Sequence, residues 1–278
     1  MVRFINMTTQ NPMSSPDPWN MVAEGYVTDT RPIFEQYCHK AIELSGLEAG
    51  DKVLDVACGP GTMSLLLKDI ASDIQAIDFS RSMLDCFDRE IERLRIANIK
   101  THLMDGQNLE FGDSGFDRVF SIFGLMFFPD RMKGFRELHR VLRPGGVATV
   151  TSWAPVSESA GMSLVFGAMH EAFPRKPESN SKATLNLEDP EHFRKEMSDA
   201  GFRDVAVTDF DGYWQVNNVE EFFDSIVRGS APIVMIKNRL SEPEWTEKRN
   251  VMLDYMKSRL TELPASLNSR AYIATGIK

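Results

Sequence analysis

The sequence is poor in cysteine and contains no long apolar run. The three cysteines, Cys38, Cys58 and Cys86, are widely spaced and form no CxxC pair, which argues against a disulfide framework or a zinc site and favours a reducing compartment. The longest strongly apolar run, Val119 to Phe128, is about half of the roughly 20 residues that a membrane-spanning helix needs. The apolar stretch from Met1 to Met7 is too short for a signal-peptide core. We therefore expect a cytoplasmic protein without a membrane span.

Basic residues are also in deficit, with 31 lysines and arginines against 40 aspartates and glutamates, a net charge of −9. A field of this sign repels phosphate backbones, so a nucleic-acid partner is not expected. Apolar residues make up 42% of the 278 residues and charged residues 26%, the composition of an ordinary folded protein. The length corresponds to one large domain with insertions or to just under two domains. The sequence does not determine the oligomeric state, so a homo-oligomer remains open.

Short apolar runs alternate with amphipathic stretches from residue 51 onward, a pattern typical of βαβ units and a parallel sheet. The predicted strands are Lys52 to Ala57, Ile74 to Asp78, Ile99 to Met104, Arg118 to Phe123, Gly146 to Trp153, Phe202 to Phe210 and Ala271 to Ile277. Capping patterns predict helix starts at Ser82 (with Asp85), at Asp130 and at Ser241 (with Glu244).

The first predicted strand runs into a glycine-bearing turn and then a helix, within the sequence VLDVACGPGT from Val53 to Thr62. Such a turn lets the polar groups of a ligand approach the backbone at the carboxyl edge of a sheet. Asp78 ends the next strand, where an acidic side chain can accept hydrogen bonds from both ribose hydroxyls of a nucleoside cofactor. Asp55 would repel a pyrophosphate, and Ser64 occupies the third glycine position of the dinucleotide fingerprint. Both features favour an adenosyl ligand with an ammonium and a sulfonium over NAD.

Four motifs occur in order along the chain: VLDVACGPGT, AIDFS, MDGQNLEF with FDRVFSIFGLMFF, and ELHRVLRPGG. They resemble those of class I S-adenosylmethionine-dependent methyltransferases. Within that class they are similar to the small-molecule branch that includes the ubiquinone and menaquinone C-methyltransferases. The resemblance covers about residues 45 to 155 strongly. It implies an α/β fold with a Rossmann-like, doubly wound, mostly parallel seven-stranded sheet, helical insertions as a cover, and S-adenosyl-L-methionine as cofactor.

The resemblance also implies which residues contact the cofactor. Asp55, Ala57, Gly59 and Gly61 would border its methionine part, Asp78 would bind the ribose, Phe79, Met83, Asp105, Gly106 and Gln107 would surround the adenine, and Ser121 and Ile122 would lie beside the sulfonium. Ala57 stands where this motif commonly has a glycine, so that one contact is in question. Tyr26 is expected to close over the cofactor.

The expected organisation follows from these motifs and the pattern around them. It comprises an N-terminal arm and helical lid at 1–44, a cofactor-binding core at 45–153, an insertion at 154–188, a continuation of the core at 189–210, a second helical insertion at 211–266 and a terminal core strand at 267–278.

The acceptor pocket is expected to form from the insertions and from the stretch after the fourth strand. Its candidates are the aromatic and apolar residues Phe123, Met126, Phe127, Phe128, Trp153, Met162, Val165, Phe166, Met169, Phe173, Tyr213, Trp214, Phe222 and Phe223. Such a lining suits a small, largely apolar acceptor. His170 is the candidate for a general base and Tyr26 a second candidate for a catalytic residue.

Several functions remain open from the sequence alone. A methyltransferase could act on a carbon, oxygen or nitrogen atom of its acceptor. The same scaffold could serve another transferase, such as an aminopropyl transferase, or an NAD-linked oxidoreductase. A partner or regulatory subunit that binds S-adenosylmethionine without turnover would keep the same loop and carboxylates.

Overall fold

The computed structural model describes residues 11–174 and 187–278. Parts of two expected segments, the arm at 1–44 and the insertion at 154–188, lie outside these residues. The strands are β1 Lys52–Val56, β2 Asp73–Asp78, β3 Ile99–Leu103, β4 Phe116–Ile122, β5 Leu142–Trp153, β6 Arg203–Val216 and β7 Ala265–Ile277. The helices are α1 Pro16–Gly25, α2 Arg31–Ser45, α3 Thr62–Leu67, α4 Arg81–Leu94, α5 Arg131–Val141, α6 Ala160–Ala172, α7 Pro190–Asp199, α8 Val219–Gly229, α9 Ala231–Lys237 and α10 Glu242–Arg259.

The seven strands form one sheet in the order β3-β2-β1-β4-β5-β7-β6. Neighbours from β3 to β5 pair in parallel, and β7 runs antiparallel to both β5 and β6. The strand order reverses between β1 and β4, which creates the crevice where doubly wound sheets bind their ligands. The predicted doubly wound, mostly parallel α/β fold is confirmed.

Apolar side chains bury the sheet on both faces. One face packs against α2, α3 and α4, with Leu67 and Phe87 in its centre, and the other packs against α5 and α7, with Phe135 and Phe193. Burial on both faces explains why the central strands read as nearly continuous apolar runs in the sequence. The sheet is therefore a rigid support for the turns at its carboxyl edge.

The first two helices are joined by a π-helical turn, Tyr26–Thr30, into one continuous helical segment. We call residues Pro16–Ser45 the N-terminal helical segment. Its second half is fixed to the β6–β7 hairpin, because the Tyr37 hydroxyl donates a 2.6 Å hydrogen bond to the Ser269 carbonyl. Gln36 exchanges two further hydrogen bonds with the backbone of Tyr213.

Three later helices, α6, α8 and α10, pack together around a second apolar cluster that includes Phe223, Trp245 and Met252. This cluster rests on the outer part of the β6–β7 hairpin, which contributes Val216 and Leu267. We call α6, α8, α9 and α10 the cover helices. Among the described residues, no helix is both long enough and apolar enough to cross a bilayer.

Several predicted boundaries differ from the observed ones. Strand β6 continues to Val216 and β7 begins at Ala265, because residues 211–216 pair with residues 265–270 in the same antiparallel hairpin. Ser80, and not Ser82, caps α4, since the Ser80 hydroxyl accepts from the backbone N–H of Met83. The predicted caps at Asp130 and Ser241 are confirmed.

Candidate functional site

A cavity lies at the carboxyl ends of β1, β2 and β4, beside the reversal in strand order. The lining comes from the N-terminal helical segment, from the turns after β1, β2 and β3, and from the stretch after β4. These residues are Ser14, Trp19, Tyr26, Phe34, Cys38, Asp55, Ala57, Cys58, Gly59, Pro60, Thr62, Met63, Ile77, Asp78, Phe79, Met83, Met104, Asp105, Gly106, Gln107, Ile122, Phe123, Gly124, Phe127, Phe128 and Pro129.

The turn after β1 depends on left-handed backbone at Gly59 (φ +54°) and Gly61 (φ +81°). A Cβ on Gly61 would lie 2.2 Å from the ring of Phe87, so this position has no room for a side chain. A Cβ on Gly59 would meet nothing within 4 Å, and Gly59 lines the cavity. The two glycines therefore differ in purpose: Gly61 allows packing on α4, and Gly59 exposes the backbone to a ligand.

Asp78, at the end of β2, is buried and held by backbone donors. Its two carboxylate oxygens accept hydrogen bonds of 2.8 Å from the N–H groups of Gly59 and Ser80. Burial raises the pKa of Asp78 to about 6, although these hydrogen bonds act in the opposite direction. Each oxygen keeps further lone pairs, so the carboxylate can accept hydrogen bonds from ligand hydroxyls.

Asp55, near the end of β1, is only 1% exposed. The hydroxyl of Ser64 donates a 2.6 Å hydrogen bond to it from the first turns of α3. Burial raises the pKa of Asp55 to about 7, and the nearby Asp78 adds to this effect. Ser64, which marks a departure from the dinucleotide fingerprint, thus has a structural role in orienting Asp55. A cationic ligand group next to this carboxylate would favour its ionised form.

Ala57 also has left-handed backbone, with φ +57°, and its methyl group lies against Gly124. A Cβ on Gly124 would be 2.3 Å from the Cβ of Ala57. The methyl group that replaces the usual glycine is therefore accommodated by the absence of a side chain across the crevice. The turn after β1 therefore accommodates the Ala57 methyl group because position 124 has no side chain.

The opposite end of the cavity is more open. Asp105 is exposed and accepts a 2.8 Å hydrogen bond from the backbone N–H of Gln107, and Gly106 is buried beneath the ring of Phe128. A hydrogen bond from the Asn108 N–H to the Asp105 carbonyl closes this segment as a turn. The Asp-Gly pair is thus a turn that also lines the cavity. Phe79 and Met83 line the cavity as well.

The structure brings most of the predicted site residues to this cavity. The set comprises Tyr26, Asp55, Ala57, Gly59, Asp78, Phe79, Met83, Asp105, Gly106, Gln107 and Ile122. Gly61 and Ser121 are buried and do not line it. The Ser121 hydroxyl has no hydrogen-bond partner among the described residues.

His170 is exposed on α6, outside the lining, because α6 packs against α10 and the hairpin. The geometry thus gives no support for this imidazole as a base. The cover helices supply none of the described lining residues, contrary to the expectation that the insertions would form the acceptor pocket. Of the predicted acceptor-side residues, only Phe123, Phe127 and Phe128 line the cavity.

Four lining residues of the N-terminal part were not singled out from the sequence: Ser14, Trp19, Phe34 and Cys38. The hydroxyl of Ser14 donates a 2.7 Å hydrogen bond to the carbonyl of Phe127. The ring of Trp19 packs edge-on against Phe127, with 5.0 Å between centroids. The spacing of Trp19, Tyr26 and Phe34 on one helical face is the sequence signal that could have revealed this wall.

The described lining combines carboxylates with apolar surface. Its ionisable groups are Asp55, Asp78, Asp105, two cysteines and Tyr26, without lysine, arginine or histidine. No group of residues that could hold a metal ion occurs among the described residues. These carboxylates suit a ligand with hydroxyl groups and a positive charge, and the loop offers backbone donors to its polar end.

Comparisons with known proteins agree with this chemistry. A family model described as a methyltransferase domain matches residues 53–146. The demethylmenaquinone methyltransferase of Staphylococcus saprophyticus is 30% identical over 179 residues, which are 60% of this chain and 76% of that protein. The corresponding enzyme of Staphylococcus epidermidis is 28% identical over 60% of this chain and 73% of that protein.

Solved structures show a shared fold. A putative methyltransferase from Bacillus halodurans has a TM-score of 0.58 at 18% identity, covering 87% of this chain and 99% of the other. Phosphoethanolamine N-methyltransferase 2 of Haemonchus contortus, in complex with phosphomonomethylethanolamine and S-adenosylhomocysteine, has a TM-score of 0.55 at 18% identity. It covers 93% of this chain, and 59% of that chain is matched.

Proposed function

The chain belongs to the class I S-adenosylmethionine-dependent methyltransferases, and from that premise we propose that its acceptor is a small, largely apolar ring compound bound in the cavity described above. The observation that carries the proposal is the cavity wall of Tyr26, Phe34, Phe123 and Phe127, without a cationic side chain in the described lining. Flat aromatic surfaces of this kind favour a flat apolar ligand.

The relatives support this acceptor class. The names of the two staphylococcal enzymes identify demethylmenaquinone, a quinone, as their substrate. The Haemonchus enzyme was solved with a phosphate-bearing acceptor. A phosphate would require basic side chains or other strong donors, and the described lining offers three aspartates and no basic side chain. The quinone-like class is therefore the better match.

The cofactor supplies a methyl group that is already bonded to a positively charged sulfur, so the protein does not need to generate an electrophile. We propose that Asp78 binds its ribose hydroxyls, that Asp55 faces its ammonium group, and that Asp105 to Gln107 lie beside its adenine. Gly59 leaves the backbone open to the methionine part. The remaining work of the chain is to orient the acceptor and to exclude water.

The proposal includes the cellular setting. The described cysteines, Cys38, Cys58 and Cys86, are free and buried, which suits a reducing compartment such as the cytoplasm. The net charge of −9 argues against a nucleic-acid acceptor.

Calorimetry and product analysis together test the proposal. The protein should bind S-adenosylhomocysteine, and Asp78→Ala should weaken that binding by at least about 10-fold, because two charge-assisted hydrogen bonds are lost. With S-adenosylmethionine present, 1,4-dihydroxynaphthalene should gain a methyl group, and phosphoethanolamine should not.

The outcomes separate the alternatives. Methylation of phosphoethanolamine alone would contradict the proposed acceptor class. Cofactor binding without turnover on a wider panel of aromatic hydroxy compounds and amines would favour the alternative of a partner or regulatory subunit that binds the cofactor without catalysis.

A further inference from the structure

Tyr26 opens the π-helical turn and lines the cavity. The turn is fixed in place from behind. A Cβ on Gly25 would lie 2.2 Å from the carbonyl oxygen of Arg228, and Arg228 forms two hydrogen bonds, of 2.6 and 2.8 Å, with the Asp29 carboxylate. Because the helix backbone touches α8 here, the position of the Tyr26 side chain over the cavity is set by packing.

The hydroxyl of Tyr26 makes no hydrogen bond to any residue that the structure describes. The other tyrosine of this helical segment is a useful contrast, since the Tyr37 hydroxyl donates to the Ser269 carbonyl at 2.6 Å. A buried tyrosine usually finds a partner for its hydroxyl. Tyr26 is half-buried and lies on the cavity wall, so a ligand in the cavity can supply the partner of its hydroxyl.

Burial, and to a smaller extent the negative charge of Asp78, raise the pKa of Tyr26 well above its ordinary value of 10.0. The phenol is therefore protonated at neutral pH. It can donate a hydrogen bond, and it cannot act as a general base. A protonated phenol can donate a hydrogen bond to a ligand oxygen.

The ring of Tyr26 continues an aromatic wall. Its edge meets Phe34 at a centroid distance of 5.5 Å, and Phe34 lies 5.0 Å from Phe123 with the two planes tilted by 32°. Phe123 in turn stacks on Trp153 at 3.9 Å. In the cavity wall of Tyr26, Phe34, Phe123 and Phe127, the Tyr26 side chain is the one that carries a hydroxyl group.

We propose that the Tyr26 hydroxyl donates a hydrogen bond to an oxygen on the acceptor ring and so selects oxygenated rings over unsubstituted ones. The inference rests on the proposed function and assigns to Tyr26 the recognition of one acceptor atom. In the reaction, a ring atom of the acceptor forms the bond to the methyl carbon, the broken carbon–sulfur bond leaves its electron pair on sulfur, and one proton passes from the acceptor to water. Tyr26 keeps its own proton throughout.

The test uses the protein saturated with S-adenosylhomocysteine and two probes, 1-naphthol and naphthalene, whose binding is followed by tryptophan fluorescence. Tyr26→Phe removes only the hydroxyl, and it should weaken 1-naphthol by about 3- to 10-fold, the range for one neutral hydrogen bond. Naphthalene and S-adenosylhomocysteine should bind as tightly as they do to the wild type. Tyr213→Phe, the same change at an exposed position outside the cavity lining, should alter none of these affinities.

Each other outcome overturns the inference. An unchanged affinity for 1-naphthol would show that the hydroxyl does not touch the acceptor. An equal loss of affinity for 1-naphthol and naphthalene would show that the substitution changes the shape of the cavity and removes no hydrogen bond. A weaker affinity for S-adenosylhomocysteine, with that for 5′-methylthioadenosine unchanged, would assign the hydroxyl to the amino-acid end of the cofactor. A wild type that binds S-adenosylhomocysteine but neither probe would instead contradict the proposed acceptor class.

Discussion

At the scale of single residues, the crevice between β1 and β4 is shaped by the pair Ala57 and Gly124. The sequence shows only that an alanine stands where a glycine is usual. The compensation by Gly124 depends on two strand ends that meet in space, so it could not be predicted from either motif alone.

We expect Gly124→Ala to lower the free energy of unfolding by about 1–3 kcal/mol, the usual range for overpacking, because its new methyl group would overlap that of Ala57. In an Ala57→Gly background the same substitution should cost much less. Urea unfolding of the four proteins gives the coupling energy, which should be at least about 1 kcal/mol. Additive effects of the two substitutions would show that the methyl groups do not compete for space.

Two buried carboxylates should give the stability a characteristic pH dependence. The pKa of Asp55 is raised from 3.8 to about 7 and that of Asp78 from 3.8 to about 6. A carboxylate with a raised pKa binds its proton more tightly in the folded state, so its ionisation destabilises the fold. These two groups should therefore lower the free energy of unfolding as the pH rises from about 4 to about 7, and add no slope above that.

Urea unfolding between about pH 5 and pH 8 measures this slope. Asp55→Asn should reduce the loss of stability with rising pH, since the amide has no charge to bury. Glu262→Gln, an exposed control, should leave the slope as in the wild type. If Asp55→Asn and the wild type have parallel pH profiles, Asp55 does not titrate in this range.

At the scale of elements, the N-terminal helical segment has two tyrosines with different tasks. Tyr37 is fully buried and joins α2 to β7, whereas Tyr26 has no partner within the described chain. The sequence predicts a lid in this region and identifies Tyr26. An apolar helical stripe shows that one face of the helix is buried, but it does not show which other element packs against that face.

We expect Tyr37→Phe to lower the free energy of unfolding by roughly 1–3 kcal/mol, because the Ser269 carbonyl would lose a buried donor. The affinity for S-adenosylhomocysteine should remain that of the wild type. Tyr26→Phe should show the reverse pattern, with unchanged stability and weaker acceptor binding. Chemical unfolding and calorimetry on both variants distinguish the two tasks, and equal losses of stability would contradict this assignment.

The strand predictions succeeded for the central sheet and were less accurate at its edge. Buried parallel strands such as β1 and β4 are nearly continuous apolar runs, so the sequence predicts them from composition alone. The outer part of the β6–β7 hairpin has no such run, since residues 211–216 are DGYWQV and residues 265–270 are ASLNSR, and the sequence therefore predicts an insertion there. Their pairing with residues 265–270 is long-range and leaves little local signal.

At the scale of the whole molecule, the cavity is roofed by the N-terminal helical segment, and the cover helices lie behind that roof. Amide exchange should therefore slow most in residues 16–45 and in the loop from 57 to 61 when S-adenosylhomocysteine and 1-naphthol are both bound, because a ligand stabilises the elements that contact it. Helix α10, from Glu242 to Arg259, should change little. Exchange measured by mass spectrometry decides this, and stronger protection of α10 than of α1 would place the acceptor under the cover helices.

The hydrogen bond between Tyr37 and Ser269 joins residues 232 positions apart in the chain. A ribosome therefore releases the roof of the cavity long before it makes the strand on which that roof rests. Pairings of such long range form slowly, because the intervening chain must first be ordered. Since domains are synthesised from the N-terminus onward, this hydrogen bond can form only after β7 has been made. A nascent chain that lacks β7 would thus hold the whole glycine loop and both buried aspartates, while the second half of the N-terminal helical segment still lacked the strand that holds Tyr37.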